Sequence, residues 1–425
     1  MKTIAIIESC DTKYTEAGYM KSLIENAGMR GLVLNTSTGP IAVSDSEDRG
    51  HIVDISREEI VEANGTPWAQ LEPRTKGEKI EFMRTAVTDY LRKLYDAGMI
   101  NGVVSVGGLQ NTVMATSAMQ ALPIGFPKVM ATTVASGTKQ FQLVVGEKDI
   151  VVMPTICDCT GINIITREVI ANAVSCCIGM VEHAGRVIRK GSKPVIGITL
   201  MGVTNNGAMG AIRELEKNGY EVLGFHATGV GGAVMEQMVQ DGLIDGVLDL
   251  TLHELTNEYF GGGFSYGPGA RVRLRKTTKA KIPLVISLGG ICFVDYAKKE
   301  ANAVPNLESR ETYDHNADTV HIKITPEEAR ALGKIVNERL NTTTHPLKLI
   351  IPTNGMRHNT LKGEALYDPK VEKALIETLE ANQNPLITII EIPGNLDTEE
   401  WGQKAARVML DTIEETKRQR QEEGA

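Results

Sequence analysis

The 425-residue chain carries 42% apolar, 23% charged and only 4% aromatic residues, with 42 glycines and a formal charge of −8. That length favours two or three domains with sizeable cores, and the acidic balance offers no basic footprint for nucleic acid or an anionic membrane. The scarcity of aromatics argues likewise against base-stacking platforms for single strands.

No run of about 18 uncharged apolar residues is present, and MKTIAIIESCDTK reads as a first strand interrupted by charge and not as a signal peptide. A cytoplasmic protein is expected. Of six cysteines, Cys157 and Cys159 form CxC and Cys176 and Cys177 are adjacent. Neither spacing is a zinc half-site, so reduced, partly buried thiols are expected.

Along the chain, Thr3 to Glu8 predicts a strand, Thr15 to Ala27 a helix closed by Gly28, and Gly31 to Thr36 a second strand. A polar loop over TGPIAVSDSEDRG follows, and then a short helix opened by a Ser56/Glu59 capping box and stopped at Gly65. From Lys76 to Ala97 the apolar positions Ile80, Met83, Val87, Tyr90, Leu91 and Leu94 recur every three or four residues, which predicts a helix with one buried face. A strand from Gly102, strands over Lys128 to Gly137 and Asp149 to Asn163, and a helix over Arg167 to Glu182 complete the first half. His183 to Pro194, rich in Gly, Pro and basic residues, reads as an interdomain connector and sets domains at 1–187 and 188–425.

The second half restarts with PVIGITLMGVTNNGAMGAIRELEKNG as strand, turn and helix, and adds strands at DGVLDL, IPLVISLGG, TVHIKI, LKLIIPTNG and PLITIIEI. The charged tail from Glu414 is expected to fray. The alternation predicts an α/β protein of two Rossmann-like, doubly wound domains with mainly parallel sheets. Ligands are then expected at the carboxyl ends of the strands, in a cleft between domains.

Two segments repeat one pattern of buried strand, small-residue turn and helix: Gly102 to Leu122 and Glu221 to Gly242. A helix N-terminus reached this way favours an anion, because its first N–H groups are free and its dipole is positive there. In the first copy Gly107, Gly108, Asn111 and Thr112 are the candidates. In the second, Thr228, Gly229, Gly231 and Gly232 form the turn and His226 ends the strand, as a phosphate donor or general acid/base. Asp11, Thr12 and Lys13 after the first strand offer carboxylate, hydroxyl and ammonium for a phosphate with Mg²⁺, with Asp11 as metal ligand. His315 beside Asn316 is a further candidate. The basic run RVRLRKTTKAK, from Arg271 to Lys281, reads as a solvated helix face. Walker A, HExxH and EF-hand patterns are absent.

These residues bring out a resemblance to the Tm-1-like ATP-binding family, also called UPF0261. The matching segments are Asp11-Thr12-Lys13, DISREEIV at Asp54, GVVSVGG at Gly102, ALPIGFPKVMATTVASG at Ala121, Asp158 with Gly161 and Asn163, KPVIGITLMGVT at Lys193, GYEVLGFHATGVGG at Gly219, DGVLDLT at Asp245, and His315-Asn316. The resemblance implies two Rossmann-like domains, ATP binding with Mg²⁺ and homo-oligomers, and the family includes a plant member that blocks viral RNA replication. The chain departs from the family at Leu109-Gln110-Asn111, where another glycine pair is usual, and at Leu288-Gly289-Gly290 in place of Pro-Gly-Ala.

The expectation is therefore a nucleotide-binding metabolic enzyme acting on a small acidic or phosphorylated metabolite. Asp11, Thr12, Lys13, Gly107, Gly108, Asn111, Thr112, Ser136 and Gly137 would hold ATP. Thr204, His226, Thr228, Gly229, Gly231, Gly232, His315 and Asn316 would face a second ligand, with His226, His315 and Lys13 as catalytic candidates. A non-catalytic ATP-binding interaction module and a nucleotide-independent sugar-acid enzyme remain open as alternatives.

Overall fold

The computed structural model describes residues 1–39, 52–135, 144–183, 191–263, 271–382 and 384–423. It divides into two units, Met1–Ile188 and Arg189–Ala425.

The first unit runs β1 (Thr3–Glu8), α1 (Tyr14–Asn26), β2 (Arg30–Asn35), α2 (Arg57–Glu62), α3 (Trp68–Leu71), α4 (Lys76–Asp96), β3 (Gly102–Gly107), α5 (Leu109–Gln120), β4 (Lys128–Thr132), β5 (Val151–Pro154) and α6 (Ile164–His183). Its sheet is parallel, in the order β2-β1-β3-β4-β5. The period-two alternation of β1 sorts its side chains into two cores. Ala5 and Ile7 join the layer that includes Met83, Val87 and Leu91 of α4, and Ile4 and Ile6 join the layer that includes Met20, Ile24 and residues of α6. Burying each such isoleucine contributes about 1.5–3 kcal/mol.

Several local expectations are refined here. Ser56 caps α2 by accepting the Glu59 N–H, while the full capping box lies at Thr75 and Glu78 and opens α4. The strands expected over Lys128 to Gly137 and Asp149 to Asn163 are short, because turns follow Thr132 and Pro154. The polar loop from Pro40 to Gly50, like Ser136 and Gly137, lies outside the described residues. Among the described residues α6 is the one helix long and apolar enough to cross a membrane by length and composition. It buries Ile170, Ala173, Val174, Cys177 and Val181 against the sheet core.

The second unit runs β6 (Val195–Leu200), α7 (Asn205–Lys217), β7 (Glu221–His226), α8 (Gly231–Gln240), β8 (Gly246–Thr251), α9 (His253–Phe260), β9 (Leu284–Gly289), β10 (Phe293–Ala297), β11 (Thr312–Asp314), β12 (Thr319–Lys323), α10 (Pro326–Leu340), β13 (Leu347–Pro352), α11 (Pro369–Glu380), β14 (Ile387–Ile392) and α12 (Glu399–Glu423). The main sheet has the order β14-β13-β9-β8-β6-β7, parallel throughout. The strand expected at TVHIKI does not join it. As β12 it pairs antiparallel with β10 and β11, two strands that the apolar runs did not reveal.

Two further expectations are corrected. Residues from Glu414 continue α12 to Glu423, held by the Lys348–Glu415 ion pair and by Arg420 donating to the Lys281 carbonyl. The basic run forms turns and no solvated helix face, because Arg273 is completely buried against Asp249 and Glu254.

Candidate nucleotide site in the N-terminal unit

In the first sheet the chain lays β2 on one side of β1 and then returns to place β3 on the other. Helices leaving β1 and β3 therefore depart to opposite faces, which leaves a crevice outside their carboxyl ends. A cavity of about 600 Å³ opens there, lined by Ser9, Asp11, Thr12, Lys13, Thr38, Gly39, Lys76, Lys79, Gly108, Leu109, Gln110, Asn111 and Asp158. Five of the residues expected from sequence come together in it: Asp11, Thr12, Lys13, Gly108 and Asn111.

Each has a distinct position. Asp11 accepts the Gly39 N–H through Oδ2 at 3.0 Å, and its own N–H donates to Ser37 Oγ at 2.8 Å, so it fastens the end of β2 to the turn after β1. Thr12 is exposed. Lys13, at the start of α1, donates to the Cys159 carbonyl and lies 3.8 Å from Glu16. Gly108 precedes α5 in extended conformation, and a Cβ there would meet nothing closer than Thr133 Oγ at 3.8 Å. The start of α5 has no side-chain cap and lines the cavity through Gly108, Leu109 and Gln110.

Asn111 lines the cavity but its amide is committed inward. Nδ2 donates to Glu8 Oε2 at 2.9 Å, Ser105 Oγ at 3.1 Å and the Val106 carbonyl at 2.8 Å, and Oδ1 accepts from Ser9 Oγ at 3.4 Å. Thr112 is buried, donating to the Gly108 carbonyl and pairing with Thr132 Oγ at 2.6 Å. These two side chains build the wall and leave anion contact to the backbone. Gly107 permits that packing, since a Cβ would sit 2.9 Å from Asn111 Cβ. Beneath them Glu8 is fully buried, and desolvation pushes its carboxyl well above the usual range against the opposing pull of the Val106 N–H.

Lys76 and Lys79 are the charged basic residues of the lining that sequence reading passed over. They occupy the first turn of α4, and neither ammonium group has a hydrogen-bond or ion-pair partner among the described residues. Cations at a helix N-terminus oppose the dipole. That placement is a legible signal in KGEK after a Thr cap, hidden by treating the segment only as an amphipathic helix.

The second glycine turn is arranged otherwise. Glu254 Oε1 accepts the N–H groups of Gly229 at 2.8 Å and Gly232 at 3.4 Å, so a buried carboxylate of the same chain already sits where an external anion was expected. Glu254 in turn pairs with Arg273 at 2.9 Å. A Cβ on Gly231 would overlap the His226 carbonyl, and one on Gly232 would overlap Arg273 and Glu254. These glycines serve packing. His226 is exposed and its Nδ1 lies 2.8 Å from Thr228 Oγ.

Thr204 is buried with its hydroxyl 2.8 Å from that of Thr251. Asn316 Oδ1 accepts the N–H groups of Asp318 and Thr319, which closes the turn between β11 and β12. His315 is exposed on that turn and stacks on buried His321 at 4.6 Å. His321 belongs to a buried group with Arg357, Phe293, His253 and Asp295, none of which the sequence reading singled out. Burial and the Arg357 charge push His321 down to about 2. Among the described residues no group of three or more His, Cys, Asp or Glu side chains is arranged to hold a metal.

Family models for an uncharacterised protein family, UPF0261, match both units, the N-terminal domain over residues 2–186 and the C-terminal domain over 193–413. The chain belongs to the UPF0261 family. A UPF0261 protein of Clostridium tetani is 34% identical over 97% of this chain and 99% of its own length. The tomato ToMV resistance protein Tm-1(GCR237) is 33% identical over 72% of this chain and 40% of its own length. Among solved structures, a putative UDP-N-acetylglucosamine 2-epimerase from Listeria monocytogenes aligns over 67% of this chain and 79% of its own at 11% identity, with a TM-score of 0.24. MurG of Acinetobacter baumannii aligns over 98% of this chain and 100% of its own at 12% identity and a TM-score of 0.22.

Proposed function

We propose that the N-terminal unit of this UPF0261 protein binds a nucleoside polyphosphate, ATP in the first instance, as part of a cytoplasmic metabolic enzyme acting on a small acidic or phosphorylated metabolite. The observation that carries the reading is the pair of ammonium groups, Lys76 and Lys79, without partners among the described residues, in a 600 Å³ cavity that also holds the uncapped start of α5. The phosphates would lie between these lysines and the first N–H groups of α5, and Lys13 adds a third positive charge. ATP itself is implied by the family resemblance.

The donor set also suits Mg²⁺. That ion keeps several waters and takes one or two carboxylates besides the phosphates, which Asp11 and Asp158 on the cavity wall can supply. Bound metal would neutralise phosphate charge, while Asp11 keeps the turn after β1 in place through Gly39.

Isothermal titration with ATP, ADP, AMP and a panel of sugar acids, each with and without Mg²⁺, tests this reading. Micromolar ATP binding that needs Mg²⁺ and is lost in Lys76→Ala/Lys79→Ala is expected. If no nucleotide binds while a sugar acid does, the nucleotide reading falls and the nucleotide-independent enzyme takes its place.

A further inference from the structure

The C-terminal unit contains a second cavity, of about 460 Å³, between Glu258 and Tyr259 of α9, Ile335, Glu338 and Arg339 of α10 with Thr342 just beyond, and Arg275 and Lys279 of the segment before β9. Because α10 leads into β13 and the 271–281 segment leads into β9, the cavity lies toward the amino ends of those strands. Reacting ligands in doubly wound folds sit at the opposite, carboxyl edge.

Three cations face this space. Arg339 is 5% exposed, pairs with Glu258, and donates Nη1 to the Arg273 carbonyl at 2.9 Å. The Arg275 guanidinium donates through Nε to the Arg271 carbonyl at 2.8 Å and has no carboxylate partner among the described residues, while its backbone N–H donates to Glu236 Oε2 at 3.0 Å. The Lys279 ammonium has no partner among the described residues. Glu258 is thus committed to Arg339, and exposed Glu338 is the remaining acid on the wall. Burial lowers the Arg339 pKa, the Glu258 carboxylate opposes that shift, and the Arg275 charge adds a smaller lowering. Like charges lining one cavity repel, and an anion bound among them would relieve that repulsion. Tyr259, 40% exposed and set edge-on to Phe260 at 5.2 Å, adds a flat apolar surface.

We propose that this cavity is an accessory binding site for a small phosphorylated molecule. Arg275, Lys279 and Arg339 take the phosphate, the guanidinium forks supplying paired N–H donors, and the Tyr259 ring covers the less polar part of the ligand. The site uses two charges of the basic run, Arg275 and Lys279. It shares no lining residue with the cavity of the N-terminal unit.

Pyrophosphate is the probe, titrated calorimetrically at constant ionic strength with chloride as the control. The background is the Lys76→Ala/Lys79→Ala protein, in which the N-terminal cavity is disarmed. Pyrophosphate binding should persist there and weaken at least tenfold when Arg275→Ala/Lys279→Ala is added. Both added changes are at exposed side chains, and unaltered thermal unfolding confirms that the fold is retained. Absence of binding in the background protein, or binding indifferent to Arg275 and Lys279, overturns the proposal. Neither result bears on ATP binding by the wild-type protein, so the two readings fail separately.

Discussion

Asn111 donates to Glu8 across 2.9 Å, tying the first turn of α5 to the carboxyl end of β1. The bond spans the switch point of the first sheet, so the two strands whose divergence creates the cavity are fixed to each other beneath it. Asn111→Ala would leave Glu8 Oε2 without that donor in a buried site. Loss of a buried hydrogen bond of this kind costs about 1–3 kcal/mol. Thermal unfolding should report the loss, and ATP titration should report weaker binding through displaced helix N–H groups. A variant of wild-type stability that merely binds less tightly would mean that Asn111 touches the ligand directly.

Lys76 and Lys79 separate a functional from a structural role by the sign of their effect. Both sit against the helix dipole, so Lys76→Ala/Lys79→Ala should leave stability unchanged or raise it by a few tenths of a kcal/mol per lysine. Affinity for ATP should fall roughly 10- to 100-fold per lost charge-assisted contact. Paired unfolding and titration curves check this. A double variant that is destabilised and binds normally would make the lysines structural.

The two glycine turns look alike in sequence and part company on substitution. Gly108→Ala meets no close neighbour, so the fold should survive while the added methyl group crowds a phosphate at the start of α5. Gly232→Ala would overlap Arg273 and Glu254, both fully buried, and should destabilise the C-terminal unit by about 3 kcal/mol or more. Soluble yield, unfolding temperature and ATP titration distinguish the outcomes. A stable Gly232→Ala protein would show that the Glu254 and Arg273 contacts yield easily.

The comparison of those turns shows what sequence could and could not disclose. Apolar runs ending in small residues placed the parallel strands, and helical periodicity placed α4, because both signals are local. Occupancy of a turn is not local: Glu254 lies 22 residues beyond Gly232, and nothing in HATGVGG says that an internal carboxylate fills it. The same holds for Asn111, whose inward commitment depends on Glu8, 103 residues away. β10 and β11 escaped for a different reason. FVDYA and TYD are short, they carry charge, and they pair antiparallel beside a sheet whose strands are long apolar runs.

Glu372 gives the chain a definite pH dependence. Burial pushes its carboxyl up to about 7, partly opposed by the Met356 N–H, and its Oε1 has no hydrogen-bond partner. Below about pH 4.5 both folded and unfolded chains carry the proton, and burial of this group exacts no ionisation cost. As pH rises toward 7 the unfolded carboxyl ionises while the folded one holds its proton, so native stability falls; above 7 both are ionised and the full cost remains, roughly 3 kcal/mol. Glu372→Gln removes the ionisable group, keeps an oxygen for the Met356 N–H and places an NH₂ where the unpartnered oxygen lies. The variant should match wild type at about pH 3.5 and exceed it in unfolding temperature at pH 8, with the gap opening between those values. Parallel wild-type and variant curves across that range would place the Glu372 carboxylate in an environment that already solvates its charge.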